Sequence, residues 1–591
     1  MDKDFKDILR NAKRDNVEAK FMVAEKYELD GKYKDAFQWY LEIAGEGDQP
    51  NAQAKVANYY YCGIAVKQDY VKAFNWYKRA AEYNHLEALC KLAYMYKEGL
   101  GVEKNTEETF SLYAKAASLG DSEAKYNLGI LYRTGVGVDK DNDKSFYWFN
   151  EAVIDGHVNA KVNLGYCYCN GIGVEVNEEK GISLYQEAAN EGNITALYNL
   201  GMCYKTGYGV EKDIEKAINL FEYAGKNGHG RSFYELAIIY ETEEQFKRNS
   251  GFVVDCYQRA VDNGFLKAAI NLSKIYFERE DSKKAMMWLD KASTDTEVKF
   301  AIGKYYFEGE YMEQNYSKAL KWFSEAAKEN NPDAQYYMGL AYFRGYGVNE
   351  DEDRAIECFK IASENNCLEA IMFLSKIYEE KENNEANVLL EKAVILNCSE
   401  AMYKLGYNYA HGKLVEKDLS KAVSLYQKAA DKDNAQAQCN LALCYLNGKG
   451  LEKNLSFGIY WLERAVNNGS AIAAFNLGCC YENGTGVETN SYMALKYYLI
   501  AANKENCEAQ LAVARLYKDS DKNQAVYWYN KASVKCQDDA FLGLANIYIN
   551  DPVVDEEKIK MLLENVINKT TDSYLKTEEN FRKVLNERSE I

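Results

Sequence analysis

Proline is nearly absent from this chain: only Pro50, Pro332 and Pro552 occur in 591 residues. A sequence so poor in helix breakers and so rich in Ala, Leu, Lys and Glu favours helices throughout and argues against strands. Long apolar runs are missing as well. Nothing approaches the roughly 18 residues of a membrane span, and the charged start, Met1 to Arg14, lacks the apolar core of a secretory signal. Membrane insertion is therefore not expected, and the reading places the protein in the cytoplasm. Positive charge is outweighed, with 72 Lys and Arg against 90 Asp and Glu for a formal charge of −18, and no basic stripe offsets it. Nucleic acid is excluded as a partner on that ground, since phosphate backbones would be repelled. The 15 cysteines are odd in number, form no Cys-x-x-Cys, and lack the paired spacing of a secreted disulfide framework. Four of them, Cys167, Cys203, Cys444 and Cys480, recur at one equivalent position and read as buried, reduced thiols.

Periodicity is what the sequence has in abundance. Ala52, Ala88, Ala124, Ala160 and Ala196 stand 36 residues apart, and the spacing continues to Ser232 and Ala268. After a step to Val298 it resumes at Ala334 and Ala370, then at Ala401, Ala437, Ala473 and Ala509, with Ala540 last and Ala19 first. Within one unit, Ala124, Leu128-Gly129 and Tyr132 share one face of a helix, called A here. Gly135-Val136-Gly137-Val138 ends it, the first glycine supplying a left-handed cap. Asp141 then starts a B helix, in which Ser145, Trp148-Phe149 and Ala152-Val153 repeat the helical spacing until Gly156. Ten full-length units carry Asp or Asn at the Asp141 position: Asp69, Asn105, Asp141, Asn177, Asp213, Asn315, Asp351, Asp418, Asn454 and Asn490. A side chain that accepts from first-turn amides explains that restriction. Trp76, Trp148, Trp322, Trp461 and Trp528 are read as filling the spaces between layers.

The pattern Ala-x-x-x-Leu-Gly-x-x-Tyr-x-x-Gly-x-Gly-Val-x-x-Asp-x-x-Lys-Ala-x-x-Trp-Tyr-x-x-Ala-Ala resembles the Sel-1-like repeat family of the tetratricopeptide-like superfamily, over about residues 19 to 567. The resemblance implies an all-α, right-handed α-solenoid superhelix of about fifteen helix-turn-helix Sel-1-like repeats, with a concave inner surface. It also implies the family's usual work, the scaffolding of protein complexes.

Departures divide the array. Units at Ala19, Ala268, Ala370 and Ala509 lack the Gly-x-Gly-Val turn, and the Ser232 unit replaces it with the charged stretch Glu241 to Asn249. The expected organisation is a charged lead-in at 1–18, a first array at 19–231, irregular repeats forming a hinge or change of curvature at 232–297, a second array at 298–567, and a charged tail or cap at 568–591.

Chemistry is harder to find. The histidines His85, His157 and His229 lie 72 residues apart in equivalent turns, too far from one another to share the roughly 2 Å ligand bonds of one zinc, and read as surface turn residues. The glycine turns lack the strand and the Gly-Lys-Ser/Thr of a phosphate loop. Ser122-Glu123-Ala124-Lys125 has none of the companion motifs of a Ser-x-x-Lys enzyme. No nucleophile, base and orienter set emerges, so no catalytic residue, cofactor or metal is assigned.

Two columns on the face of the A helices that points away from the core, the face that in tetratricopeptide folds lines the concave groove, are the candidates for binding. One step places asparagine at Asn127, Asn163, Asn199, Asn271, Asn440 and Asn476, where an amide can bond both C=O and N–H of an extended peptide. Equally, such residues can be solvated or bond a neighbouring helix. The adjacent step carries Tyr126, Tyr198, Tyr234, Phe300, Tyr336, Tyr403 and Phe475, either as a binding surface or as packing between repeats. Residues 124–200 are the preferred binding surface. The functional reading is an adaptor for proteins or extended peptides. Its rivals are a regulatory subunit docking on an enzyme complex and, remotely, a hydrolase. Exposed array ends can pair or be capped, which leaves the oligomeric state open.

Overall fold

The computed structural model describes residues 3–248, 250–550, 555–567 and 571–589. Among them are 34 α-helices, one 3-10 turn and no strand, and successive helices pack as hairpins, so the chain is an all-α solenoid. It divides into two compact units, Met1–Val298 and Lys299–Ile591.

The unit at 122–157 shows how the sequence builds one layer. Its A helix runs Ser122–Thr134 and starts at Asp121, whose side chain accepts from the Ala124 amide. It stops at Gly135, which takes φ 75° in the left-handed region. The B helix, Asn142–Ile154, starts at Asp141, whose carboxylate accepts from the Lys144 amide. All ten Asp and Asn residues expected as B-helix caps make this bond, each to the amide three residues on.

Glycine also decides how closely layers approach. A Cβ on Gly137 would lie 2.0 Å from the Thr106 carbonyl oxygen, so this turn seats directly on the B helix of the preceding repeat, Thr106–Ser118. In the A helix, a Cβ on Gly129 would lie 2.5 Å from the Phe149 ring, which is wholly buried. Burying such a ring contributes about 2 to 3 kcal/mol. The tryptophans expected to fill the layers share that place with the residue that follows them, Trp76 and Trp148 packing against the neighbouring core clusters. Trp76, Trp148 and Trp322 are half-buried, while the following residues Tyr77, Phe149 and Phe323 are fully buried; of the five expected, Trp461 and Trp528 are themselves buried. The helix rotates by 100° from one residue to the next, so the second of the two aromatics meets the glycine.

A lysine clasp closes several hairpins. Lys125, one residue after the signature alanine, reaches Asp155 at 2.6 Å near the end of its own B helix. Lys161 reaches Glu191 at 2.5 Å, and Lys299 pairs with Glu329 in the same way. In the short first unit the equivalent Lys20 is only 1% exposed and its ammonium meets Asp15 at 2.9 Å, Glu42 at 2.8 Å, and Glu46. Those carboxylates hold it well above the usual lysine range.

The irregular stretch keeps its helices but changes its turns. After the A helix Gly230–Thr242 comes a 3-10 turn, Glu244–Phe246, and then the B helix Ser250–Asp262. The next pair is shortened to Ala268–Glu278 and Ser282–Lys291, joined by a turn in which Glu280 takes φ 59°. At the ends, the lead-in contains a helix, Lys3–Ala12, whose Ala12 is buried against Ala19 and Val23. The C-terminal helix Asp572–Ser589 buries Phe581 and Thr577 against Gln537–Ile549, with Asn546 donating to the Thr577 hydroxyl. Residues 568–570 and 590–591 of the expected tail lie outside the described residues.

Cys167, Cys203 and Cys480 are buried free thiols and Cys444 is half-buried, with burial pushing Cys167 and Cys203 up to about 11. The expectation of reduced thiols does not extend to Cys507 and Cys536, which are joined in a disulfide. Their spacing of 29 residues follows from two shortened helices, which bring the start of one A helix beside the start of the next.

Candidate functional site

Three consecutive A helices of the first unit, Ser122–Thr134, Val158–Asn170 and Ile194–Thr206, carry the preferred surface. The two columns behave differently. Tyr126 is half-buried and stacks on His157 of the following repeat at 4.6 Å, with Phe149 on its other side. Tyr198 is 8% exposed and is held among Phe221, His229 and the Arg231 guanidinium, and burial pushes its hydroxyl up to about 12. Both rings thus lie between repeats, as the packing alternative had it.

The histidines are corrected with them. His85 and His157 are not free turn residues but helix caps, their Nδ1 atoms accepting from the Ala88 and Ala160 amides. His157 also meets Glu123 through Nε2 at 3.0 Å, and chiefly that hydrogen bond holds the Glu123 carboxyl below its ordinary range. His229 bonds the Ser232 hydroxyl at 2.8 Å. All three are half-buried, and burial pulls His85 and His229 below the usual histidine range.

The asparagines are half-buried and differently engaged. Asn127 folds back on its own helix, donating to the carbonyl and carboxylate of Glu123. Asn163 donates to the Asn159 carbonyl and accepts from Arg133 of the preceding A helix at 2.8 Å. Asn271 donates to the Tyr257 hydroxyl at 3.3 Å, and Asn440 lies beside the Tyr426 hydroxyl. Asn476 sits 3.7 Å from the Cys439 sulfur. Asn199 has no hydrogen-bond partner among the described residues.

Of these residues, Asn163 and Asn199 share one open groove of about 520 Å³, lined also by Arg133, Val162, Tyr166, Ile172 and Thr195. A gap in two columns explains it. Where the flanking repeats place the pairs Tyr126 with His157 and Tyr198 with His229, this seam has Val162 and Asn193. With neither ring present, Val162 packs on Ala196, Leu197 and Leu200 of the Ile194–Thr206 helix, and the groove lies beside this contact. Tyr166, 44% exposed, forms part of its wall.

Sequence reasoning missed Arg133, Val162, Tyr166, Ile172 and Thr195. The signal was Val162 standing between two repeats that carry Tyr126 and Tyr198 at the same position, together with contacts between residues 30 apart that join consecutive A helices, as Arg133 joins Asn163. For metals, Asp333, Cys367 and Glu369 bring three ligand atoms within 4.8 Å of one another, and burial pushes the Cys367 thiol up to about 12. The cluster of Asp15, Glu42 and Glu46 already surrounds the Lys20 ammonium. Among the described residues no helix is long and apolar enough to cross a membrane.

The Sel1 repeat family profile matches twelve times, at 50–85, 86–121, 122–157, 158–193, 194–229, 266–295, 297–331, 332–367, 399–434, 435–470, 471–506 and 508–533. The chain belongs to the Sel1 repeat family, whose members typically mediate protein–protein interaction and are generally non-catalytic. The units passed over include those at Ser232 and Ala370, two of the departures already seen in the turns. No curated protein matches the chain. Among solved structures it is similar to c5321, a protective antigen of uropathogenic Escherichia coli strains with an SLR fold, at 23% identity, covering 88% of this chain and 98% of that one, with a TM-score of 0.41. It is also similar to a Sel1 repeat protein from Oxalobacter formigenes, at 24% identity over 41% of this chain and 96% of that one, TM-score 0.39. Yeast Tom70 is matched at 14% identity over 86% of this chain and 100% of that one, TM-score 0.27.

Proposed function

We propose that this protein is an interaction scaffold that receives an extended segment of a partner protein across the A helices Ser122–Thr134, Val158–Asn170 and Ile194–Thr206. The observation that carries the reading is the groove at Val162, with the unpartnered Asn199 amide on one side and Asn163 on the other. An amide with free donor and acceptor can satisfy both backbone groups of an extended chain whatever its side chains. A stacked array presents that amide on a preformed surface, which lowers the ordering cost of binding. Thirteen free cysteines against the single Cys507–Cys536 disulfide favour a reducing compartment, and the cytoplasm is the location we propose.

The test is affinity purification of the full chain from its native cell beside a variant carrying Asn127→Ala, Asn163→Ala and Asn199→Ala, with circular dichroism confirming that both are helical. Partners captured by the parent and lost from a folded variant support the groove. Partners retained by the folded variant overturn it.

A further inference from the structure

The groove carries a positive charge that the same register neutralises elsewhere. Two repeats further along, Lys205 stands at the position equivalent to Arg133, and its ammonium pairs at 2.6 Å with Glu235, thirty residues on and only about 10% exposed. Arg133 points across the same thirty residues, but the partner there is Asn163, a neutral amide that takes one of five guanidinium donors. The guanidinium lies over the Phe149 ring, 5.6 Å from its centre. Among the described residues no carboxylate pairs with it, and no Asp or Glu lines the groove. In a chain of net charge −18 this is an unusual place to leave a half-buried cation unanswered.

Apolar groups complete the site. Val162, itself only 7% exposed, and Ile172 line the same groove as Arg133, and Tyr166 adds an exposed ring.

We propose that the groove selects an extended partner segment in which an internal Asp or Glu lies next to an apolar residue. The carboxylate takes the free donors of Arg133, the apolar side chain enters the groove at Val162 and Ile172, and Asn199 bonds the partner's backbone. A charge-assisted, two-pronged contact at a half-buried guanidinium gives the selectivity that amides alone lack. The inference rests on the scaffold reading, and it adds the chemistry of the partner.

The experiment is selection of a displayed random short-peptide library on the full chain, followed by fluorescence anisotropy with the selected peptides. The expected peptides are enriched in Asp or Glu beside an apolar residue. Their affinity should fall by about tenfold or more on Arg133→Gln, on Asp→Asn or Glu→Gln in the peptide, and on Asn163→Glu. The last variant recreates the Lys205–Glu235 pairing inside the protein and so guards against a packing defect caused by losing Arg133. Lys97→Gln, at an equivalent position outside the groove, should leave affinity within about twofold, as for a screened surface charge. Peptides that depend on Asn199 but show no acidic preference, or that ignore both Arg133→Gln and Asn163→Glu, overturn the inference and leave the scaffold reading standing. Peptides unaffected by Asn199→Ala and Asn163→Ala, or no peptide selected at all, overturn both.

Discussion

The regular run 86–229 and the stretch 230–297 that follows it hold helices of the same kind but solve the turn between them differently. In the regular run each A helix ends on a left-handed glycine, and a second such glycine two residues later lets the turn seat on the preceding B helix. In the later stretch a 3-10 turn and a left-handed Glu280 take their place, and the helices shorten to 11 and 10 residues. Helix formation is therefore the tolerant part of this architecture. The fit between a turn and its predecessor is the exacting part, because a backbone contact cannot yield as a side chain can.

Breaking that fit should cost most. Gly137→Ala puts a methyl group 2.0 Å from the Thr106 carbonyl oxygen and strains a left-handed residue. About 4 kcal/mol of local stability should be lost, read as faster amide exchange around 106–138. Gly264→Ala, in the later stretch, meets nothing within 4 Å and keeps only the left-handed strain, about 1 kcal/mol. If the two prove equal, seating is not what the second glycine is for.

The lysine clasp comes next. Lys20→Ala removes a buried ammonium from three carboxylates, and because those carboxylates can rehydrate, the loss should be about 2 kcal/mol, below that of a fully buried pair. Thermal unfolding followed at the N-terminal helices measures it, and Lys161→Ala, at a lysine whose side chain is 15% exposed, should cost less.

A cap is smaller again. Asn177→Ala should cost about 1 kcal/mol, visible as exchange in the first turn of Glu178–Asn190.

The smallest effect is one of pH. Burial holds His85 below its usual value near 6.5, so its contribution is complete above that value and fades as pH falls through it toward the folded pKa. Protonation also fills the Nδ1 lone pair that caps the helix. Acidification from pH 7 to 5 should loosen the Leu86–Glu98 helix by up to about 1 kcal/mol, and His85→Asn should remove that dependence while keeping an acceptor.

These contrasts also mark what the sequence made legible. Caps and glycine turns could be read residue by residue, because Asp141 and Gly135 act on backbone groups within a few residues of themselves. The buried aromatic could not be told from its neighbour by type alone, so Trp148 drew the attention that belonged to Phe149. His157 looked like part of a turn because its partners, the Ala160 amide and the Tyr126 ring, depend on how one repeat meets the next. The groove was the least visible. It arises from two small residues, Val162 and Asn193, that are unremarkable alone and matter only because rings stand at their equivalents on either side.

The seating of each glycine turn on its predecessor makes the array editable by the block. Removing residues 158–193 would leave His157 at the head of the Ile194–Thr206 helix, the position that Asn193 now holds, and would present Gly209 to Asn142 in place of Gly173. Arg133 would then face Asn199 across the same thirty-residue step. Both cut surfaces already match, so the protein can be lengthened or shortened in steps of one repeat, and its span becomes a quantity that duplication and deletion can set without inventing a new joint.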